Sequence, residues 1–175
     1  MKNGIFGLLV LALGSVVMAG GCSGSVPAER ESILTGWIEG SRIVSPELPG
    51  FRARYDTVAV NDDLTAMIGG LSGELETIVF LGTWCGDSRR EVPHFMRIAE
   101  KSGMPAKRIR YYGLDRTKKS PDGLTDAYRI ERVPTFIFLV GGTEIGRIVE
   151  LPRSTLEGDL FEILVAFSKR PGQGD

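Results

Sequence analysis

Two cysteines and one histidine are all the thiol and imidazole side chains in this 175-residue chain, and that scarcity excludes several kinds of protein. Structural zinc sites draw about four ligands from closely spaced cysteines and histidines, so no metal site is expected. No residue pattern calls for a bound cofactor, and two cysteines cannot build a framework of several disulfides. An excess of either charge is also missing: 21 Lys+Arg stand against 22 Asp+Glu, a formal net charge of -1. Lys118-Lys119 is the only pair of adjacent lysines. A nucleic-acid binder carries a basic excess on one face, so no nucleic-acid partner is expected. The chain does have the means to fold. Apolar residues at 42% and charged residues at 25% are ordinary for a globular domain, and the length suits one domain with additional segments.

The first residues are of a different kind. Lys2 is followed by an apolar run from Ile5 to Met18, and Ala19-Gly20-Gly21 leads into Cys22. The run has 14 residues, short of the roughly 20 that span a bilayer as a helix, and the pattern is that of a secretory signal. Small residues running into a cysteine resemble the bacterial lipoprotein signal, although Ala19 stands where that signal usually has leucine. The resemblance implies removal of residues 1–21, acylation of Cys22 and attachment to a membrane of the bacterial cell envelope, on the periplasmic side where there are two membranes. Ser23 resembles the residue that directs such proteins to an outer membrane. The alternative is an ordinary signal peptide cut near Ala19 or Gly21, leaving Cys22 a free thiol. Residues 22–32 are small, polar and Pro-containing, as in a tether.

Between residues 33 and 60, apolar side chains are interrupted by Gly36, Gly40, Pro46, Pro49 and Gly50, and one or two short helices in an extension packed on the body are expected. Beyond residue 61 the pattern is regular. Asn61 or Asp62 can cap a helix with the stripe Leu64, Met67, Ile68 and Leu71. Thr77 to Thr83 is a continuous β-type run, the mark of a strand buried on both faces. A helix follows with Val92, Phe95, Met96 and Ala99 on one side. Arg108 to Leu114 reads as a second, parallel strand, with one of Tyr111 and Tyr112 towards the core. A basic loop, Arg116 to Lys119, and a short helix, Leu124 to Arg129, come next. Thr135 to Val140 and Glu144 to Val149 form a hairpin across Gly141-Gly142. Ser154, with Glu157 as capping-box partner, opens a last helix carrying Leu156, Leu160, Ile163, Leu164 and Phe167.

Where the first central strand meets its helix stands Trp84-Cys85-Gly86-Asp87-Ser88. This order, with Pro93 inside the helix and Val133-Pro134-Thr135 leading into the hairpin, resembles the thioredoxin superfamily over residues 61–170. The resemblance implies an α/β three-layer sandwich. Its mixed central sheet has parallel strands and a C-terminal antiparallel hairpin, with helices on both faces. It further implies a cis bond at Pro134, a substrate groove along Val133, Pro134 and Thr135, and Trp84 shielding the cysteine, for which core packing is the plainer alternative.

The residues themselves point to the same place. A cysteine at a helix N-terminus meets the positive end of the helix dipole, which favours thiolate over thiol. Arg89 and Arg90 add to this if they face the sulfur, and Asp87 opposes it. The departures are informative too. Dithiol members resolve a mixed disulfide with a second cysteine, and here that position is Ser88, whose hydroxyl cannot take over sulfur chemistry. Val79 replaces the buried acid that assists the second thiol in many thioredoxins. Three readings follow. Cys85 forms mixed disulfides with exported proteins or small thiols and is released by an outside thiol, as an oxidoreductase or isomerase-like protein. Alternatively, the domain is a non-catalytic binding or chaperone-like lipoprotein. The remaining reading covers assembly scaffolds and a peroxidase, the latter disfavoured by Gly82 where peroxiredoxins have threonine. His94, nine residues beyond Cys85, is expected on the surface, Trp37 in the core of the extension, and Arg116 to Lys119 in solvent or against a substrate.

Overall fold

The computed structural model describes residues 32–170. The signal segment 1–21, Cys22 and nearly all of the 22–32 tether lie outside the described residues. Strand β1 (Gly36–Ile38), helices α1 (Gly40–Ile43), α2 (Pro49–Thr57) and α3 (Asp62–Leu71), and strand β2 (Leu75–Leu81) come first. They are followed by α4 (Gly86–Lys101), a 3₁₀ turn (Ala106–Arg108), β3 (Ile109–Gly113), α5 (Leu124–Ala127), β4 (Thr135–Val140), β5 (Thr143–Val149) and α6 (Leu156–Ser168). One mixed sheet runs in the order β1-β3-β2-β4-β5. β2 and β3 are parallel and the other three pairings antiparallel. The expected α/β architecture, with its parallel pair and terminal hairpin, is present.

β2 has no polar alternation because neither of its faces meets water. Leu75, Val79 and Leu81 point into a core shared with Phe51, Ile68, Phe95, Phe136, Phe138 and Leu160 under α2, α3, α4 and α6. Ile78 and Phe80 point to the opposite face, into a smaller core with Tyr112, Leu114, Ile130, Val133 and Ile137 under α5 and its flanking segments. The two tyrosines of β3 are therefore both buried, Tyr111 in the first core and Tyr112 in the second. Aromatic rings tie the layers together: Phe95 of α4 lies 5.2 Å from Phe136, and Phe80 lies 5.6 Å from Tyr112.

Several local expectations are corrected. The segment 33–60 holds the two short helices expected, α1 and α2, and in addition residues 36–38 form an edge strand on β3. Three residues are too few for alternation to register in sequence, and the ladder on Tyr111 to Gly113 supplies what local preference does not. Trp37 consequently lies on the sheet's outer side, half exposed, edge-on to Tyr112 at 5.0 Å and under the Arg110 guanidinium at 5.1 Å. α3 is capped by Asn61, whose side chain accepts from the Leu64 amide. It buries Thr65 and Ile68 but leaves Met67 and Leu71 exposed. Gly69 sits so close to the Ser102 carbonyl that a Cβ there would be 2.6 Å from the oxygen. α6 is capped by Thr155, which accepts from the Gly158 amide at 3.0 Å, not by Ser154. Glu157 is thereby released from any capping box.

Glu157 instead turns inward to His94. The His94 side chain is 14% exposed, with Nε2 3.0 Å from Glu157 Oε1 and Nδ1 3.8 Å from Glu91 Oε2. It is a clamp between α4 and α6, since Glu157 also accepts from the Asn61 amide at the start of α3. His94, expected as a partly exposed surface residue, is thus a part-buried member of an ion pair, and the Glu157 half of it is invisible in sequence because that partner lies 63 positions away. Burial alone would lower the His94 pKa, but the hydrogen bonds and charges of Glu157 and Glu91 outweigh it and raise the value to about 9. Desolvation opposes ionisation of Glu91 and Glu157 as well, and their hydrogen bonds to His94 hold both below the usual carboxylate range. A raised histidine stabilises the fold fully below its unfolded pKa of about 6.5 and loses that contribution as the pH passes the folded value. The stability advantage of the wild type over His94→Gln is therefore expected to be largest near about pH 6. It should shrink by on the order of 2 kcal/mol by about pH 9.5, as measured by urea unfolding across that range. A constant difference would mean that folding does not shift the His94 pKa.

Candidate functional site

The site is built where β2 ends. Its last residue is Leu81, and Gly82, Thr83 and Trp84 carry the chain to Cys85, the N-cap of α4. The turn is closed by its own backbone, the Cys85 amide donating to the Gly82 carbonyl at 2.9 Å. Trp84 folds back over Gly82 so closely that a Cβ at that position would stand 2.7 Å from the indole. The indole Nε1–H donates to the Leu114 carbonyl at 2.8 Å, and the Arg116 guanidinium lies 4.9 Å above the ring. Trp84 thus packs on the second core and against the start of the basic loop, the packing role expected as the alternative.

Cys85 is half-buried and is the free cysteine among the described residues. Its thiol donates to the Val133 carbonyl at 3.3 Å. The Val133-Pro134 peptide is cis, the geometry the resemblance implies. Pro134 accepts from the Glu150 amide at 2.7 Å, and the Thr135 hydroxyl donates to the Arg132 carbonyl at 2.7 Å. Trp84, Cys85, Gly86, Val133, Pro134 and Thr135 are therefore gathered at one end of the sheet. Ser88 is there too, but fully buried, its Oγ accepting from the Gly82 amide at 3.1 Å. The hydroxyl in the second-cysteine position holds the turn closed from below. Val79, in place of the buried acid, is an ordinary core residue.

The charged neighbours are arranged differently from expectation. Arg90 does not turn to the sulfur: it donates to Asp87 at 2.9 Å and to Glu91 at 2.7 Å. Asp87 is held by this pair away from a purely repulsive role. Arg89 lies with Arg90 along a concavity that Gly86 opens and that Gly50 and Arg54 of α2 close on the other side. Among the described residues no group of three or more His, Cys, Asp or Glu side chains is placed to hold a metal ion. A larger groove of about 940 Å³, lined by Trp37, Tyr55, Met96, Met104 and Tyr111, opens at the far end of α4. At 1.5 Å per residue that is about 20 Å along the helix from Cys85, so it is separate from the cysteine site.

Two contributors escaped sequence reasoning. Thr83 is fully buried. Its hydroxyl accepts from the Leu34 amide at 3.2 Å and donates to the Ser32 carbonyl at 2.7 Å, lacing the N-terminal segment to the residue two before Cys85. Arg54 reaches from α2 to the Arg90 carbonyl at 3.3 Å. Neither position bears a local sequence signal.

A mixed sheet of this order, with a half-buried thiol at the strand-to-helix junction beside a cis X-Pro bond, is the arrangement of a thioredoxin-like protein. The thioredoxin family model matches residues 49–160, and the chain belongs to the thioredoxin family. It is similar to a thioredoxin-like protein of Acanthamoeba polyphaga mimivirus, 33% identical over 107 residues, which are 61% of this chain and 74% of that protein. An H-type thioredoxin of Oryza sativa subsp. indica is 27% identical over 91 residues, 52% of this chain and 70% of the relative. Among solved structures, a Pseudomonas aeruginosa protein of unknown function shares the fold with a TM-score of 0.54 at 15% identity, over 75% of this chain and 92% of its own. The family match starts at residue 49, so α2 is inside it.

The lacing by Thr83 is testable. Thr83→Val keeps shape but strands the Leu34 amide and the Ser32 carbonyl, and a cost of roughly 1–3 kcal/mol in urea unfolding is expected, together with faster hydrogen exchange at Leu34. A variant as stable and as protected as wild type would show that the lacing contributes nothing.

Proposed function

We propose that this protein is an exported, lipid-anchored thioredoxin-like monothiol protein that forms mixed disulfides through Cys85. The observation that carries the reading is the pairing of a half-exposed Cys85 sulfur at the N-terminus of a 16-residue helix with a Ser88 hydroxyl that is buried and already bonded to Gly82. The first can exchange with sulfur outside the domain. The second can neither attack nor leave.

The chemistry follows from that asymmetry. The Cys85 thiolate attacks one sulfur of a substrate disulfide, a new S–S bond forms as the old one breaks, and the departing thiolate takes a proton from water. Release requires an outside thiol, whose thiolate attacks the substrate sulfur of the mixed disulfide and returns Cys85 as thiolate. No electrons are left on the protein over the cycle: one disulfide is exchanged for another between partners, as in reduction by an external thiol or in isomerisation. Val133 offers a backbone edge beside the sulfur, with its carbonyl held by the Cys85 thiol in the resting state. An extended substrate chain that takes that carbonyl would free the sulfur. Export and anchoring rest on the sequence pattern around Cys22 and imply partners in the cell envelope, exported proteins or small thiols.

With a small disulfide as probe, Cys85 is expected to accumulate as a stable mixed disulfide that persists until a free thiol is added, read by intact-mass spectrometry. Ser88→Cys should convert the adduct to an internal disulfide and release the first thiol without any addition. Failure of Cys85 to react in the folded wild type would leave a thioredoxin-like binding or chaperone-like domain. Anchoring is checked by labelling cells with radioactive palmitate, where incorporation is expected in the wild type and lost in Cys22→Ser.

A further inference from the structure

The groove at the far end of α4 takes no part in the chemistry of the cysteine. Its volume of about 940 Å³ lies within the range of about 300–1,000 Å³ that encloses small molecules. The end of α4 supplies Met96 and Ala99, β3 supplies Ile109 and Tyr111, and Val44 and Tyr55 close it from the segment of α1 and α2. At Gly40 a Cβ would stand 3.2 Å from the Tyr111 ring and 3.8 Å from the Met96 methyl, so the wall at that point is bare backbone. Met104 lines the groove with Met96, and unbranched thioethers adapt their shape to what lies against them and make favourable contacts with aromatic rings. The charged residues at the groove, Glu39, Glu100, Lys107 and Arg110, are two of each sign, which gives no net attraction for an ion.

One polar group of this groove is left without a bond. The Tyr55 hydroxyl donates to Glu100 at 2.8 Å, whereas the Tyr111 hydroxyl bonds to no described residue. Tyr111 is only 6% exposed, yet its oxygen is not among the sealed-in unpaired atoms: it opens on the groove that its ring lines. Burial, with the neighbouring Tyr55 adding to it, raises the Tyr111 pKa above the ordinary tyrosine value, so the group stays a protonated O–H donor. A buried donor with no acceptor is a cost that the oxygen of a bound molecule would remove.

We propose that this groove is a second binding site, for an uncharged, ring-containing carbonyl compound whose oxygen accepts from the Tyr111 hydroxyl while its ring packs against Met96 and Met104. The inference needs neither exchange at Cys85 nor a lipid at Cys22, because the site lies about 20 Å along α4 from the sulfur. The apolar walls supply the affinity and the single donor supplies the orientation, the usual division of labour in a small-molecule pocket.

Benzophenone belongs to this class and is also a photochemical label that inserts into nearby C–H bonds, those of methionine among the most reactive. The full chain is irradiated over a range of benzophenone concentrations and the adducts are located by peptide mass spectrometry. Labelling at Met96 or Met104 is expected to saturate, whereas Met67, exposed on α3 away from the groove, reports random encounter and should rise in proportion to concentration. Tyr111→Phe keeps the ring and removes the hydroxyl. In that variant the half-saturating concentration is expected to rise about threefold to tenfold, with Met67 labelling unchanged. The anionic analogue 4-benzoylbenzoate should label the groove less than benzophenone does. Labelling of Met96 and Met104 that follows Met67 without saturating overturns the site. Saturation at the same concentration in Tyr111→Phe overturns the role of the hydroxyl, and stronger labelling by 4-benzoylbenzoate overturns the uncharged class. Urea unfolding without ligand is the second measurement: because the hydroxyl has no bond to lose, Tyr111→Phe should unfold at the same or a higher urea concentration. A lower midpoint would show that the fold itself uses the hydroxyl and would overturn its assignment to a ligand.

Discussion

The structure depends on a strand that is buried on both faces and ends in a turn with no spare room. β2 has a core above and a core below, so its direction and register are set by apolar contacts on both sides, with β3 and β4 as hydrogen-bonded neighbours. Everything from Gly82 to Cys85 is the consequence of leaving that position. The chain must rise out of the sheet and start α4 within four residues. It does so with the indole of Trp84 folded onto a glycine and the Gly82 amide satisfied from α4 by the Ser88 hydroxyl. A buried backbone donor without a partner costs about 1–3 kcal/mol, so Ser88 has a structural task at this position apart from any chemistry. The loss of the second thiol is compatible with an intact turn for this reason: the hydroxyl is a better acceptor for an amide than sulfur is.

Legibility in the sequence followed the range of the interaction. β2, the hairpin of β4 and β5, and the amphipathic face of α4 were readable because local pattern and tertiary burial agree there. The Cys85 motif was readable because it combines residue identities with a strand-to-helix boundary. What escaped was held by contacts between distant positions. β1 is a strand because β3 offers it a ladder, not because Gly-Trp-Ile favours one. His94 lies nine residues beyond Cys85, two and a half turns on, which suggests a partly exposed surface position, whereas Glu157 reaches it from α6. The cap of α6 shifted by one residue because Thr155, not Ser154, adopts the extended backbone of an N-cap, and that shift is what turns Glu157 inward.

The same logic explains why the N-terminal part of the described chain belongs to the site although it resembled nothing by pattern. The segment from Ser32 to Thr57 meets the cysteine turn from two sides. On one side, residues 32 and 34 close on the hydroxyl of Thr83. On the other, α2 lies along α4 and brings Arg54 to its first turn. In a dithiol protein the fate of a captured partner is decided inside the motif, by the second sulfur. If Cys85 exchanges as proposed, with Ser88 in that position the motif cannot decide, and selection would pass to the surroundings of the sulfur. The structure supplies there α2, the Trp84–Arg116 stack and the Val133 edge.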